Sequence, residues 1–365
     1  MSLAFTEMRR SKLKFGLLAG AVSLLVFLVL FLTTLSTALV TSITGALDGL
    51  DGQVLVYSDS ARDNLQASRL DPRVVDKIAD VPGVAAAGGV SLATTSAELA
   101  DGSNDLQLVA ATPGEPGAPT GLSEGELAQN RNQIAMDGGG YAIGDEVTLS
   151  ESDRTLTVVG LLKGAQFNAA PTGYVVPEVY DEVVRAANPD VPFVPLNAVA
   201  VQVDAGADPA SVAQAIGEDV PDTKGYVKSD AVDLIPGVES ITQTFGILVG
   251  LTFIIGIVVI GFFFLILTVQ KMRSFTLLRA IGASTGKLSA AVAIQIAVVV
   301  LVAGAIAVLL TYGAVRGLST GIPVSLSPGL VLGTVGAVLV FSLLAGLLSI
   351  RRISSIDPAT AAGAR

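Results

Sequence analysis

The 365-residue chain contains no cysteine, no histidine and no tryptophan, and only 15% of its residues are charged. Each shortage removes a class of chemistry. Without cysteine there is no disulfide staple, no thiolate nucleophile and no thiolate zinc site. Without histidine there is no imidazole to move a proton near neutral pH or to ligate a metal. Without tryptophan, an aromatic docking surface would rest on Tyr and Phe alone, and aromatics make up just 5% of the chain. Soluble proteins carry about a quarter charged residues, so the charge deficit points to lipid. The net charge of −10 repels phosphates and gives a nucleic-acid partner no footing.

Long apolar runs take the place of the missing charge. A bilayer core is crossed by about 20 consecutive apolar residues in a helix. Residues 15–47, 240–270, 288–315 and 329–350 contain no Asp, Glu, Lys or Arg, and they predict four transmembrane helices. The first run is much longer than the roughly 7–15 apolar residues of a signal core, so it reads as a retained span despite Arg9, Arg10, Lys12 and Lys14 before it. The absence of charge inside the spans also argues against an ion-coupled carrier.

Orientation follows from the positive-inside bias. The basic residues of segment 1–14, of loop 271–287 (Lys271, Arg273, Arg279, Lys287) and of tail 351–365 all fall on one side. That side is the cytoplasm, with both termini there, in a multi-pass protein of the plasma membrane. Segment 1–14 reads as a basic amphipathic helix, and 316–328 as a short outer loop. Residues 48–239 hold 30 of the 32 acids and 10 of the 22 bases, which places a strongly acidic domain outside. The fold class is therefore membrane α-helical, with four spans and a large mixed α/β extracytoplasmic domain inserted between the first and second.

Inside that domain, QVLVYSD (53–59) alternates as a strand does. Residues 72–79 read as a helix capped by Asp71 and ended by Pro82-Gly83. Residues 145–162 read as a hairpin turning at 151–154. Residues 178–187 and 209–216 read as helices, the second capped by Asp208, and 197–203 as a strand. The Gly/Pro/Ala-rich stretches 111–125 and 137–140 are taken as loops joining two lobes. GASTGKL (282–288) lacks the glycine spacing and the Ser/Thr of a Walker loop. DGGGY (137–141) reads as a turn. The chain therefore has no nucleotide or catalytic site of its own, and the energy for any work it does comes from a partner or an ion gradient.

The most specific string is TVQKMRSFTLLRAIGASTGKL (268–288). Phe275, Leu278 and Ile281 share one helical face, with Arg273 and Arg279 off it, which suits either the headgroup layer or a partner's groove. LLRAIGAS after the second of four spans resembles the permeases of MacB/FtsX-type ATP-binding-cassette (ABC) systems. So does the closing SSIDPATAAG (354–363). The resemblance covers the whole chain and implies a homodimer working with two copies of an ABC ATPase subunit. Arg273, Phe275, Leu278, Arg279 and Ile281 would contact the ATPase.

The opening SLAFTEMRRSKLKFGLL, the modest outer domain and Val269-Gln270-Lys271 at the end of span two are similar to the haem-exporting (HrtB-like) permeases. This implies export of haem taken laterally from the membrane, with haem as cargo and no intrinsic cofactor. A chain without histidine would offer haem iron a Tyr, a Met or a carboxylate. Glu239, at the outer end of span two, is the candidate ligand, with the hydroxyls of Thr37, Thr41 and Thr242 around it. Thr33, Thr34 and Ser36 add to the same hydroxyl-rich region. Those hydroxyls suit bonding from helix to helix or lining a lateral pocket, while Met136 and Tyr174 are expected to pack. The rival readings are export of a peptide, antibiotic or lipoprotein, and an FtsX-like regulator of a cell-wall hydrolase.

Overall fold

A computed structural model describes residues 11–98, 105–137, 140–270, 284–317 and 328–354. They form two units. One is built from the part of helix α1 (Lys12–Asp48) up to Ser36, with α6 (Val238–Gln270) from Gln243, α7 (Thr285–Gly317) and α8 (Pro328–Ser354). The other spans Thr37–Thr242.

In the helical unit, α1 buries Leu18, Val22, Val26 and Leu30, four residues apart, so that one stripe faces the bundle. Ile260 and Phe264 of α6 and Ile296, Val300, Ala303 and Ala307 of α7 complete that core. Among the described residues, three helices are long and apolar enough to cross a membrane: Lys12–Asp48, Val238–Leu267 and Ser289–Gly317. The fourth predicted span lies in α8, where the described side chains give an apolar helix over Pro328–Leu344, shorter than those three. Each helix extends a few residues beyond its predicted run, because Lys12, Lys14, Val238 and Pro328 continue the helical backbone.

The second unit is mixed α/β, as the patterning predicts. Its strands are β1 (Val54–Ser58), β2 (Val84–Glu98), β3 (Asp105–Ala110), β4 (Leu122–Gly125) and β5 (Gln133–Asp137), followed by β6 (Glu146–Leu149), β7 (Arg154–Leu162), β8 (Thr172–Val175), β9 (Ala198–Val203) and β10 (Thr223–Val227). The short helices are α2 (Val74–Ala79), α3 (Pro177–Ala187), α4 (Pro209–Asp219) and α5 (Lys228–Asp233). The strands run in the order β10-β1-β9-β2-β3-β8-β5-β7-β4, with β6 beside β2 and β7.

Strand β2 makes two lobes from one sheet. Its residues 84–90 pair with β9, and its residues 91–96 pair with β3. The lobes are thus joined by a continuous strand, which corrects the assignment of that role to 111–125 and 137–140. Within those stretches 122–125 is β4, and Asp137 ends β5.

Period-two alternation gives β1 and β9 two buried faces. Val54 and Val56 of β1, with Val199 and Val201 of β9, pack on one face with Ile78 of α2 and Ile216 of α4. Leu55, Tyr57, Ala198 and Ala200 point the other way. There they meet Ala46 and Leu47 of α1, Val232 of α5 and Val238 of α6. The second lobe closes over Leu106, Leu108, Ile134, Met136, Leu156 and Val158. Helix α4 begins at Asp208 as predicted, the carboxylate accepting the Ser211 N–H at 3.1 Å. Helix α2 starts two residues later than predicted, because Asp71 spends its side chain on the Arg73 N–H in a turn.

Candidate functional site

The residues singled out in the sequence meet the domain at the ends of two long helices. Glu239 lies in the first turn of α6 and is exposed. An acid there is favoured by the helix dipole without any ligand. Thr37 and Thr242 are exposed, and Thr41 is half-buried. Among the described residues no hydrogen bond joins these four, and no cluster of acids is arranged to hold a metal. Arg273, Phe275, Leu278, Arg279 and Ile281 lie outside the described residues.

Of the hydroxyls expected to bond between helices or line a pocket, Thr33 turns back on its own helix, as do three other threonines of the long helices. Thr33 donates to the Val29 carbonyl at 2.8 Å and Thr44 to Val40 at 3.0 Å. Thr252 and Thr311 do the same to Leu248 and Ala307, each at 2.8 Å. A carbonyl four residues back is the nearest acceptor in a helix, and it satisfies the hydroxyl before a neighbouring helix can. Thr34 and Ser342 are the buried span hydroxyls without a partner among the described residues.

Sequence reasoning missed a clamp on the last turns of α1. Loop 163–170, KGAQFNAA, lays its backbone along that helix. Ala46 donates to the Gln166 carbonyl at 2.9 Å, while Asn168 and Ala169 donate to Ile43 and Ser42 at 3.2 and 2.8 Å. Gly45 makes this possible, since a Cβ there would overlap the Gly164 carbonyl. The Asp137 carboxylate, buried at the end of β5, accepts the Ala165 N–H. The Tyr174 hydroxyl donates to the Ala165 carbonyl at 3.0 Å. Burial, reinforced by the Asp137 charge, pushes the Tyr174 phenol well above its ordinary range, so it stays a neutral donor. Thr172 accepts the Phe167 N–H at 2.8 Å.

The carbonyls that end α1 are also satisfied. Lys228 Nζ donates to the carbonyls of Asp48 and Leu50 at 3.2 and 2.9 Å, a cation where the helix dipole is negative. Thr120 donates through both its N–H and its hydroxyl to Gly49. Within the domain, the end of α1 is thus held by the 163–170 loop, by Thr120 and by Lys228. The signal in the sequence was faint: small residues at 45 and 164, and a lone lysine after a strand.

The helical unit has its own concavity, an apolar cleft of about 300 Å³ among α1, α6 and α8. Val26, Phe253, Gly256 and Ile260 line it, and Ser342 contributes the unpartnered hydroxyl.

Residues 15–219, more than half of the chain, match the family described as the MacB-like periplasmic core domain. Residues 246–358 match the FtsX-like permease C-terminal family. An uncharacterized ABC transporter permease of Mycobacterium tuberculosis is 22% identical over 289 residues, covering 79% of this chain and 77% of that protein. A second one from the same organism is 23% identical over 295 residues, with the same coverage. Among solved structures, the extracellular domain of the ABC-type transporter YknZ from Gram-positive bacteria aligns with a TM-score of 0.33 at 14% identity. It covers 48% of this chain and 100% of that one. The periplasmic region of MacB from Actinobacillus actinomycetemcomitans aligns with a TM-score of 0.36 at 8% identity, covering 50% and 92%.

Proposed function

The chain belongs to the MacB/FtsX-type family of ABC transporter permeases, and from that premise we propose that it is the membrane subunit of an ATP-driven exporter of an amphiphile, with haem as the specific cargo. Permeases of this kind are not the catalytic subunit, so ATP is hydrolysed by a separate ABC ATPase. In the proposed assembly two copies of this chain stand over two copies of that ATPase in the plasma membrane. Four spans place both termini and loop 271–287 in the cytoplasm and the acidic domain outside.

The observation that supports mechanical export is the clamp on α1. Three backbone hydrogen bonds and the Gly45–Gly164 contact fix the last turns of that helix to the domain. A rotation of those turns therefore moves the 163–170 loop with them. The haem reading rests on the opening segment and on Glu239, whose carboxylate is exposed and open to a ligand.

Haem titration into the purified permease–ATPase complex tests both levels. A shifted Soret band together with faster ATP turnover is expected, and Glu239→Ala is expected to alter the band. No band shift with the wild type, while another amphiphile still stimulates ATP turnover, removes haem and leaves export standing. Co-purification of a cell-wall hydrolase with the full chain, with no amphiphile stimulating turnover, replaces export with a regulatory role.

A further inference from the structure

The α/β domain carries a second concavity, of about 350 Å³, walled by residues 63–66, by Phe167 and Asn168, and by the segment 231–236. Its floor is apolar, since Leu65, Phe167 and Ile235 are all buried, while Leu234 is 38% exposed. Its polar groups are amides and one carboxylate. The Asn64 side-chain oxygen accepts the Gln66 N–H at 2.9 Å. The side-chain amides of Gln66 and Asn168 have no protein partner among the described residues. One oxygen of Asp63 accepts both the Tyr226 hydroxyl and the Lys224 ammonium, which leaves the other oxygen open to a donor. No Lys or Arg lines the pocket, so an anion finds no counter-charge in it.

Backbone strain collects at the same place. Six described residues other than glycine have positive φ, and four of them flank this pocket: Arg62 at 50°, Asp63 at 66°, Asn168 at 52° and Ala169 at 56°. The left-handed region is unfavourable for an L-residue, least so for Asn and Asp, and such strain gathers at ligand clamps. The position within the domain adds a consequence. Asn168 is bonded to Ile43 of α1 through its N–H, and Pro236 leads through Gly237 into α6. Whatever fills the pocket touches the loop clamped to one long helix and the lead-in to another.

We propose that this pocket binds an uncharged, apolar, amide-bearing ligand, of the kind a peptide segment presents. The apolar group rests on Leu65, Phe167 and Ile235. The ligand's amide exchanges hydrogen bonds with Asn168 and Gln66, and a ligand N–H reaches the open oxygen of Asp63. The site is separate from Glu239 and unsuited to haem, whose two carboxylates would face Asp63 with no cation lining the pocket.

The test uses the full chain in lipid nanodiscs and saturation-transfer NMR, with empty nanodiscs subtracted. The probes are N-acetyl-leucyl-leucinamide and 4-methylpentanoate, which share a branched apolar end but differ in amide and charge. The capped peptide is expected to give at least a five-fold larger signal than the anion. Leu234→Arg and Asn168→Gly should each reduce the peptide signal at least five-fold. Both changes are compatible with folding, since Leu234 is partly exposed and glycine accepts the φ of Asn168, and the thermal melt checks this. Equal signals from the two probes overturn the proposal, as does a peptide signal unchanged in both folded variants. Because haem titration reads a different site, peptide binding that persists without a Soret shift overturns only the haem reading.

Discussion

Gly45 shows how one missing side chain can fix a structure. Its Cα faces the Gly164 carbonyl, and three backbone hydrogen bonds close around the contact. Gly45→Ala forces helix or loop to yield, and overpacking of this kind costs about 1–3 kcal/mol. Differential scanning calorimetry should show a lowered domain Tm, and limited proteolysis should cut within 163–170. Gly246→Ala is the control: nothing lies within 4 Å of a Cβ at that position, so its Tm should match the wild type. Asp63 supplies a pH dependence. The Tyr226 hydroxyl and then the Lys224 ammonium hold its carboxyl below the usual carboxylate range. A depressed folded pKa means that the contribution is complete above the unfolded value, near 3.8, and is lost as pH falls through the folded one. The group is largely exposed, so the effect is small. Melting curves taken from pH 5 down to about 3 should fall slightly more steeply for wild type than for Asp63→Asn. Identical slopes would mean that the ion pair adds nothing.

At the level of elements, what was legible in the sequence was whatever local chemistry dictates. Asp208 before Pro209 announces α4, and the carboxylate does cap the Ser211 N–H. The alternation in 145–162 announces the β6–β7 hairpin, and the polar residues between the strands make its turn. Strand β2 was not legible. Its sequence VAAAGGVSLATTSAE is rich in Ala and Gly, which carry little strand preference, and it is held by partners far along the chain. The same holds for β3, β5 and β8, whose registers are set by one another. The clamp was hidden for a related reason, because it is a contact between residues 42–46 and 164–169 made through backbone atoms. The Asp208 cap gives the prediction at this scale. Asp208→Ala removes an acceptor from the first turn of α4 and should lower the stability of that helix. Chemical denaturation of the full chain should show an earlier midpoint for the domain transition. An unshifted midpoint would place the stability of α4 entirely in Val212, Ala213 and Ile216 packing on the sheet.

For the whole molecule, charge distribution decides what each side can do. The acidic residues are concentrated between the first and second long helices, and the bases gather in short segments next to the runs. A domain with 30 acids and 10 bases is repelled by anionic headgroups and stays in water, whereas loop 271–287 carries four bases and no acid. In the proposed assembly that asymmetry becomes a division of labour, in which the basic loop would meet the ATPase and the long helices would carry its motion. Phe275, Leu278 and Ile281 would supply the apolar contact, and Arg273 and Arg279 the steering. Buried apolar anchors carry most of the energy of such interfaces, while rim charges mainly set the rate of encounter. Leu278→Asp should therefore abolish co-purification of the ATPase, whereas Arg273→Glu with Arg279→Glu should slow assembly at physiological salt and more strongly at low salt. Surface plasmon resonance with the ATPase immobilised separates the two outcomes. In both variants the domain melt should equal that of the wild type, because the clamp and the sheet lie within Thr37–Thr242. Retained ATPase binding in Leu278→Asp would move the docking surface off this loop and onto the basic segment 1–14.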